Sequence, residues 1–260
     1  MAILELKKAT KVIHNGPNEH LTILDHVNLK IAAGQFVTVL GGNGAGKSTL
    51  FNAISGSLSL TSGDVFIKEK KITKESEEKR AAYLARVFQD PKMGTAPRMT
   101  VAENLLLAQK RGQSRKLVTR NLQNQRELFI QLCAEIGNGL ENHLDTPTGL
   151  LSGGQRQALS LLMATIQKPD LLLLDEHTAA LDPKTSRQLM TLTDKKIQEE
   201  ALSCLMITHR MEDALNYGNR LLVLKNGRIV QDLDATEKQQ LTLSDLLLFF
   251  EEMEELPEVM

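Results

Sequence analysis

The segment "QFVTVLGGNGAGKST", residues 35–49, joins an apolar run to a glycine-rich turn that ends in a lysine and two hydroxyl residues. An apolar run without alternating polar residues, such as "FVTVL", is typical of a parallel strand covered on both faces. The turn fits the pattern G-x-x-x-x-G-K-[ST] from Gly41 to Ser48, and the residues after it have helical character. Strand, glycine loop and helix in this order predict an α/β fold around a parallel sheet.

The same segment predicts a phosphate-binding loop. Its glycines let successive backbone N–H groups face phosphate oxygens. Lys47 would neutralise the β- and γ-phosphates of a nucleotide, and Ser48 would offer its hydroxyl to Mg²⁺. The alternative is a glycine-rich turn that binds nothing. The predicted nucleotide-binding residues are Gly41, Gly42, Asn43, Gly44, Ala45, Gly46, Lys47, Ser48 and Thr49.

A second buried run, "LLLLDE" at residues 171–176, ends in two carboxylates. A phosphate loop needs an acid at the end of a neighbouring strand, so Asp175 is predicted to act on the Mg²⁺ side. Side chains alternate along a strand, so Glu176 points elsewhere and is placed to polarise an attacking water. The alternative is that two carboxylates merely end a strand.

The remaining pattern divides the chain into regions. Apolar and polar residues alternate in three segments, at 3–13, 26–31 and 64–72. This alternation predicts an antiparallel β region with one solvent-exposed face. The runs at 203–209 and 220–227 are apolar like the first and extend the parallel sheet. The predicted core spans 1–88 and 151–235, the antiparallel β region included, and 89–150 forms an inserted helical subdomain.

Residues 236–260 are predicted to form a C-terminal amphipathic helix. Ser244 would cap it. The helix would pack on its own core, with a dimer contact as the alternative. Its apolar side would carry Leu243, Leu246, Leu247, Phe250 and Met253.

Composition excludes several classes of protein. Hydrophobic residues make up 42% of 260, which is ample for a packed core. The 31 basic residues nearly balance the 32 acidic ones, so no overall charge favours nucleic acid. The two cysteines, Cys133 and Cys204, lack the spacing of a metal site. No signal peptide and no apolar run of about 20 residues is present, so we expect a cytosolic chain. If it acts at a membrane, we expect another protein to span that membrane.

A second helix start with the features of an anion site lies far from the glycine loop. Ser152, Gly153 and Gly154 precede an apolar helix, with serine as a good N-cap and glycines that permit close approach. Four further motifs form a set with the phosphate loop and the acidic end of the second buried run. They are "LSGGQ" at 151–155, Gln89 in "RVFQDP", "ALD" at 180–182 and His209 after "LMIT". In this order the set resembles that of ATP-binding cassette (ABC) ATPases.

The resemblance implies a P-loop NTPase with a RecA-like parallel core and two cofactors, ATP and Mg²⁺. It implies a head-to-tail homodimer in which Ser152, Gly153, Gly154 and Gln155 of one copy cover the γ-phosphate held by the other. ATP would close this dimer and hydrolysis would open it. Gln89 would sense the metal and the attacking water, Asp182 would couple the two sites, and His209 would contact the γ-phosphate. The metal residues would be Ser48, Gln89 and Asp175, and the catalytic residues Glu176, His209 and Gln89.

Two positions depart from the family pattern. The aromatic residue that usually stacks on adenine is missing, and Ile13 or His14 takes its place in our interpretation. His177 follows Glu176 where the family commonly has proline. The interpretations of His177 are a surface-loop substitution or a pH-sensitive influence on Glu176.

The resemblance favours the ATPase subunit of a transporter. A soluble cassette acting on DNA or ribosomes is the alternative, and a non-hydrolytic scaffold is disfavoured by Glu176 and His209. The chain would lie at the cytoplasmic face of the membrane, bound to a separate permease through residues around Met93 to Glu103, and would not bind nucleic acid. It is similar to ATPases of bacterial importers of an amino-acid type, in particular for tryptophan or tyrosine, which also use an extracellular substrate-binding protein.

Overall fold

Four strands near the N-terminus form an antiparallel sheet, in the order β2-β1-β4-β5. The structure is a computed structural model that describes residues 1–14, 16, 20–113 and 121–255, with residues 250–255 as backbone only. The strands are β1 Ala2–His14, β2 His20–Ala32, β4 Ser62–Ile67 and β5 Lys70–Lys71.

A second sheet of six strands forms the centre of the molecule, in the order β10-β9-β3-β8-β7-β6. All neighbours are parallel except β9 and β10. The three central strands β3, β8 and β7 are buried at every position, which explains their uninterrupted apolar sequence. The strands are β3 Phe36–Leu40, β6 Leu84–Val87, β7 Leu171–Asp175, β8 Cys204–Ile207, β9 Arg220–Lys225 and β10 Arg228–Leu233. The predicted α/β fold, with a parallel sheet and an antiparallel β region, is confirmed.

The helices connect and cover these strands. They are α1 Lys47–Ser55, α2 Glu77–Arg80, α3 Val101–Gln109, α4 Arg126–Ala134, α5 Gly153–Thr165, α6 Pro183–Glu199, α7 Met211–Asn216, α8 Ala235–Gln239 and α9 Leu243–Glu255. Short 3-10 turns lie at Gln123–Gln125, Leu140–His143 and Thr148–Leu150. Between residues 89 and 150, the described residues form helices and turns but no strand.

Helix α5 belongs to two hydrophobic clusters. Leu159 packs with Phe129 in a cluster formed by α3, α4 and α5. Leu161, on another side of the helix, packs with Leu172 of the central sheet. The helix that begins after Ser152 therefore packs against both the helical region and the central sheet.

The structure has two helices, α8 and α9, in the region where one helix over 236–260 was predicted, and α9 begins at a different cap. Its cap is Thr242, whose hydroxyl accepts from the backbone N–H of Asp245 at 3.2 Å, so the prediction of Ser244 as cap is wrong. Leu246 is buried against Leu40 and Leu221, whereas the predicted face residue Leu247 is 45% exposed. The helix packs on its own core through Leu246, while the side chains of Phe250 and Met253 lie outside the described residues.

His177 lies inside the protein, just beyond β7. It is 2% exposed, so the interpretation as a surface-loop substitution is wrong. Its Nε2 lies 3.1 Å from the Thr193 hydroxyl of α6. That hydroxyl donates to the carbonyl of Leu189, so the histidine Nε2–H is the donor of the pair. Burial lowers the pKa of His177 to about 4. The ring is therefore neutral throughout the physiological range and does not act as a pH switch there.

The buried neutral ring predicts acid destabilisation. In the unfolded chain His177 binds a proton below a pKa of 6.5, whereas in the folded chain it does so only below about 4. Stability from this residue is thus complete above pH 6.5 and is lost as the pH falls toward 4. The loss between pH 7.5 and 5 should be about 2 kcal/mol. Urea unfolding at both pH values should show that His177→Gln, which keeps a donor for Thr193, removes this part of the loss. An unchanged pH dependence would contradict the assignment.

Candidate active site

The glycine loop leaves the start of helix α1 open to an anion. Gly46 precedes the helix with φ of 99°, a conformation that favours glycine, and no side chain caps the helix start. A Cβ at Gly46 would lie 2.7 Å from the carbonyl oxygen of Ile23. Gly42, Asn43 and Gly44 are exposed. The backbone N–H groups of the first helical turn are therefore available to a phosphate group.

Lys47 lies beneath this loop. Its Nζ donates to the carbonyl oxygens of Gly41 at 2.6 Å and Gly42 at 2.9 Å. Burial lowers the pKa of Lys47, and the nearby carboxylates of Glu176 and Asp175 act in the opposite direction. The structure thus places a cation between the loop and the two acids that the sequence predicted.

Asp175 forms an ion pair that the sequence analysis missed. Its Oδ2 lies 2.5 Å from Nη2 of Arg86 on β6, and each of the two side chains is 12% exposed. Nη1 of Arg86 donates to Oδ1 of Asn52 on α1 at 2.7 Å. The available signal was a charged residue in a short, otherwise apolar strand, because such a residue needs a partner when it is buried.

Glu176 and His209 are brought together at the ends of β7 and β8. Nε2 of His209 lies 2.5 Å from Oε1 of Glu176, whose side chain is 9% exposed. Glu176 has φ of 47°, in the left-handed region that non-glycine residues rarely adopt. Its N–H donates to the carbonyl of Ile207 at 3.1 Å. Strain of this kind persists where the surroundings fix it, and it is common at active sites.

Gln89 is exposed just after β6. The carbonyl of the preceding residue, Phe88, accepts from Nε2 of the buried Gln157 at 2.9 Å. Gln157 belongs to α5, so the segment that carries Gln89 is held by the helix that starts after Ser152.

The helix start at Ser152 is organised by its own residues. The hydroxyl of Ser152 accepts from the N–H of Gln155 at 3.2 Å, and the Gln155 side chain accepts from the N–H of Ser152. A Cβ at Gly154 would lie 2.6 Å from Cγ2 of Thr185, so Gly154 is required by packing within the chain. At Gly153 the nearest atom would be 3.9 Å away, on Leu181, which leaves room for an approaching group.

Asp182 also has a partner within the chain. Its carboxylate accepts from the N–H groups of Lys184 and Thr185 at 3.1 Å each and caps helix α6. A hydrogen bond from the Thr185 side chain lowers the pKa of Asp182, and the backbone N–H groups of Thr185 and Lys184 act in the same direction. The residue thus fixes the start of α6 whether or not it also couples two sites.

The proposed adenine position lies at the end of strand β1. Ile13 is exposed, and it pairs with Leu21 of β2, which is also exposed. The imidazole of His14 contacts that of His20, with 2.6 Å between their Nδ1 atoms. The surface offered here is aliphatic and imidazole rather than a tyrosine or phenylalanine ring.

Residues 24–179 match the sequence model of one protein family, described as ABC transporter. The chain belongs to the ABC transporter family. This ABC ATPase is 43% identical to the tyrosine transport ATP-binding protein of Clostridioides difficile, over 96% of this chain and 99% of that one. It is 32% identical to the aliphatic sulfonates import ATP-binding protein of Escherichia coli, over 100% and 95% of the two chains.

Solved structures agree with the family. The ABC ATPase fold is similar to that of an ATP-binding cassette described as a dimer in a post-hydrolysis state with ADP and Pi. That match has a TM-score of 0.77 and 28% identity, over 89% of this chain and 98% of the other. The predicted P-loop NTPase fold is confirmed, and the protein is an ATP-binding ATPase. None of the helices in the described ranges is both long and apolar enough to cross a membrane.

The exposed Ile13 predicts weak base selectivity for this ABC ATPase. If adenine contacts only Ile13, His14 and general packing, GTP should compete with a fluorescent ATP analogue within about tenfold of ATP, or roughly 1.4 kcal/mol. Ile13→Tyr is the matched variant, and it should bind ATP more tightly because a ring adds stacking area. A hundredfold preference of the wild-type protein for ATP would instead reveal a specific base contact elsewhere.

Proposed function

We propose that this ABC ATPase is the energy-supplying subunit of an importer, in which ATP drives head-to-tail dimerisation and hydrolysis separates the two copies. The contact between Nε2 of His209 and Oε1 of Glu176 carries the proposal. A scaffold that used ATP only to hold two copies together would not need a carboxylate fixed in a strained backbone position beside the phosphate loop.

The residues around the loop fit a magnesium-nucleotide complex. Mg²⁺ prefers oxygen ligands, and the hydroxyl of Ser48, the carboxylate of Asp175 and the amide oxygen of Gln89 are all oxygen donors. In this role the ion would neutralise charge on the β- and γ-phosphates. Lys47, already near the carbonyls of the loop, would exchange those contacts for phosphate oxygens.

Glu176 is the proposed general base. Its carboxylate would hold the attacking water and accept its proton as the γ-phosphate is transferred. Nε2 of His209 contacts Oε1 of Glu176, and on nucleotide binding it would exchange this contact for an oxygen of the γ-phosphate. Gln89, on the segment held by Gln157, would orient the same water.

A second copy of this chain would complete each site. The open space at Gly153 fits the approach of a nucleotide held by the partner, and the capping box at Ser152 presents the helix start in a fixed orientation. The related cassette described as a dimer supports this arrangement. Asp182, at the start of α6, would then lie near the contact between the copies.

The relatives support import as the direction of transport. Their names describe tyrosine transport, phosphonates import and aliphatic sulfonates import. We propose uptake of an aromatic amino acid, with a separate permease and an extracellular substrate-binding protein, and a location at the cytoplasmic face of the membrane. The choice of cargo rests on the tyrosine transport relative, which is 43% identical.

The segment after Gln89 is the proposed permease contact. Met93 is 69% exposed and Arg98 is also exposed. Glu103 has a structural role instead, since its Oε2 accepts from the N–H of Thr100 at 2.9 Å in the capping box of α3. Charge reversal at Glu103 would disturb the helix itself, so Arg98 is the cleaner test.

Glu176→Gln should separate binding from hydrolysis. The amide keeps the size of the side chain but loses the water-polarising carboxylate, so turnover should fall by about 10²–10⁴-fold. Mg-ATP should then trap a dimer, visible by size-exclusion chromatography. Glu199→Gln, an exposed residue of α6, is the control and should behave as the wild type. A Glu176→Gln protein that hydrolyses ATP normally and stays monomeric would refute the assignment.

Arg98→Glu should weaken co-purification with the permease and leave the ATPase rate of the isolated subunit largely intact. The reason is that Arg98 is exposed and lies beyond the residues proposed to contact the nucleotide. Lys74→Glu, an exposed residue after β5, is the matched charge reversal. Lost ATPase activity with unchanged co-purification would assign the segment to the nucleotide site instead.

The proposed amino-acid cargo has its own test, a thermal-shift screen of the substrate-binding protein from the same operon. Stabilisation of that protein only by sugars or metals would contradict the proposal of an amino-acid cargo.

A further inference from the structure

Arg86 is a largely buried cation, with a side chain that is 12% exposed. Its guanidinium lies 4.7 Å from the ring centre of Phe88 and 5.9 Å from that of Phe51. Its Nε is buried without a hydrogen-bond partner among the described residues. The charge is therefore compensated mainly by the ion pair with Asp175 and the hydrogen bond to Asn52. A buried charge is unfavourable unless such partners hold it.

The two partners of Arg86 belong to different parts of the nucleotide site. Asp175 ends strand β7, which is the parallel neighbour of β6. Asn52 lies in α1, the helix that begins directly after the phosphate loop. The planar guanidinium presents two N–H groups in a fixed geometry, and here it spans the gap between the two elements.

We infer that Arg86 is a positioning residue that orients the Asp175 carboxylate for magnesium-nucleotide binding, an inference that rests on the proposed function. The guanidinium holds Oδ2, which restricts the rotation of the carboxylate and does not engage Oδ1. Partners of this kind typically change metal affinity by about 10–100-fold when they are removed.

The test measures binding rather than turnover. Equilibrium binding of a fluorescent ATP analogue is titrated with MgCl₂, and is repeated in EDTA. For Arg86→Gln, the Mg²⁺ concentration at half-saturation should rise about tenfold, while affinity in EDTA should change less than about twofold. Arg86→Lys keeps the charge but not the planar pair of N–H donors, so its Mg²⁺ requirement should lie between those of the wild type and Arg86→Gln.

The chain offers a matched control in Arg80, which is also buried. Its guanidinium donates to the carbonyls of Ala53 and Ile54 at the end of α1, at 2.8 and 2.7 Å. Arg80→Gln should lower the melting temperature without changing the Mg²⁺ requirement. Asn52→Ala removes the second anchor of Arg86 by a substitution that helices tolerate well, and should raise the Mg²⁺ requirement by less than Arg86→Gln does. It also tests the inference if Arg86→Gln fails to fold.

The outcomes are distinct. An unchanged Mg²⁺ requirement in Arg86→Gln and Asn52→Ala would overturn the inference, because Arg86 would then only fill space. A lowered requirement would also overturn it, since Arg86 would be a competitor of the metal. If the wild-type protein itself binds nucleotide without any Mg²⁺ dependence, the proposed function fails at the metal rather than at Arg86.

Discussion

The site depends on the parallel register of β7 and β8 at the centre of the sheet. Asp175 pairs with Ile207 in this register, so the residues that follow, Glu176 and His209, emerge at the same edge. Strand β3, on the other side of β8, delivers the phosphate loop to that edge. Ligands bind outside the carboxyl ends of such strands because the loops converge there. Three segments far apart in sequence thus share one small volume.

Charge balance shapes this volume as much as topology does. The cations Lys47 and Arg86 lie near Asp175 and Glu176, and the partly exposed His209 contacts Glu176. Each carboxylate has a different immediate partner: arginine holds Asp175 and histidine holds Glu176. Two acids that are adjacent in sequence are therefore separated in environment, which is the usual means of giving similar groups different roles.

The short motifs that identify the family also stabilise the structure of a single copy. Ser152 caps α5, Asp182 caps α6, and Gly154 permits the close contact with Thr185 that packs α5 against α6. In the proposed dimer, a surface that is already ordered in each copy would lose less binding free energy on assembly. The helix caps supply that rigidity.

Sequence by itself determined the features that depend on neighbouring residues. The glycine loop, the uninterrupted apolar strands and the carboxylates at 175–176 are local patterns, since backbone conformation and burial on both faces act on consecutive residues. The tertiary structure decided the rest. It determined the partners of Arg86, the burial of His177 and the contact at Gly154, because each of these involves residues from separate elements. It also determined the left-handed backbone of Glu176. The sequence analysis placed the cap of α9 at Ser244, and the hydrogen bonds to Asp245 show that it is Thr242. The sequence indicates which residues favour burial or require a partner, but only the tertiary packing determines which partner each residue contacts.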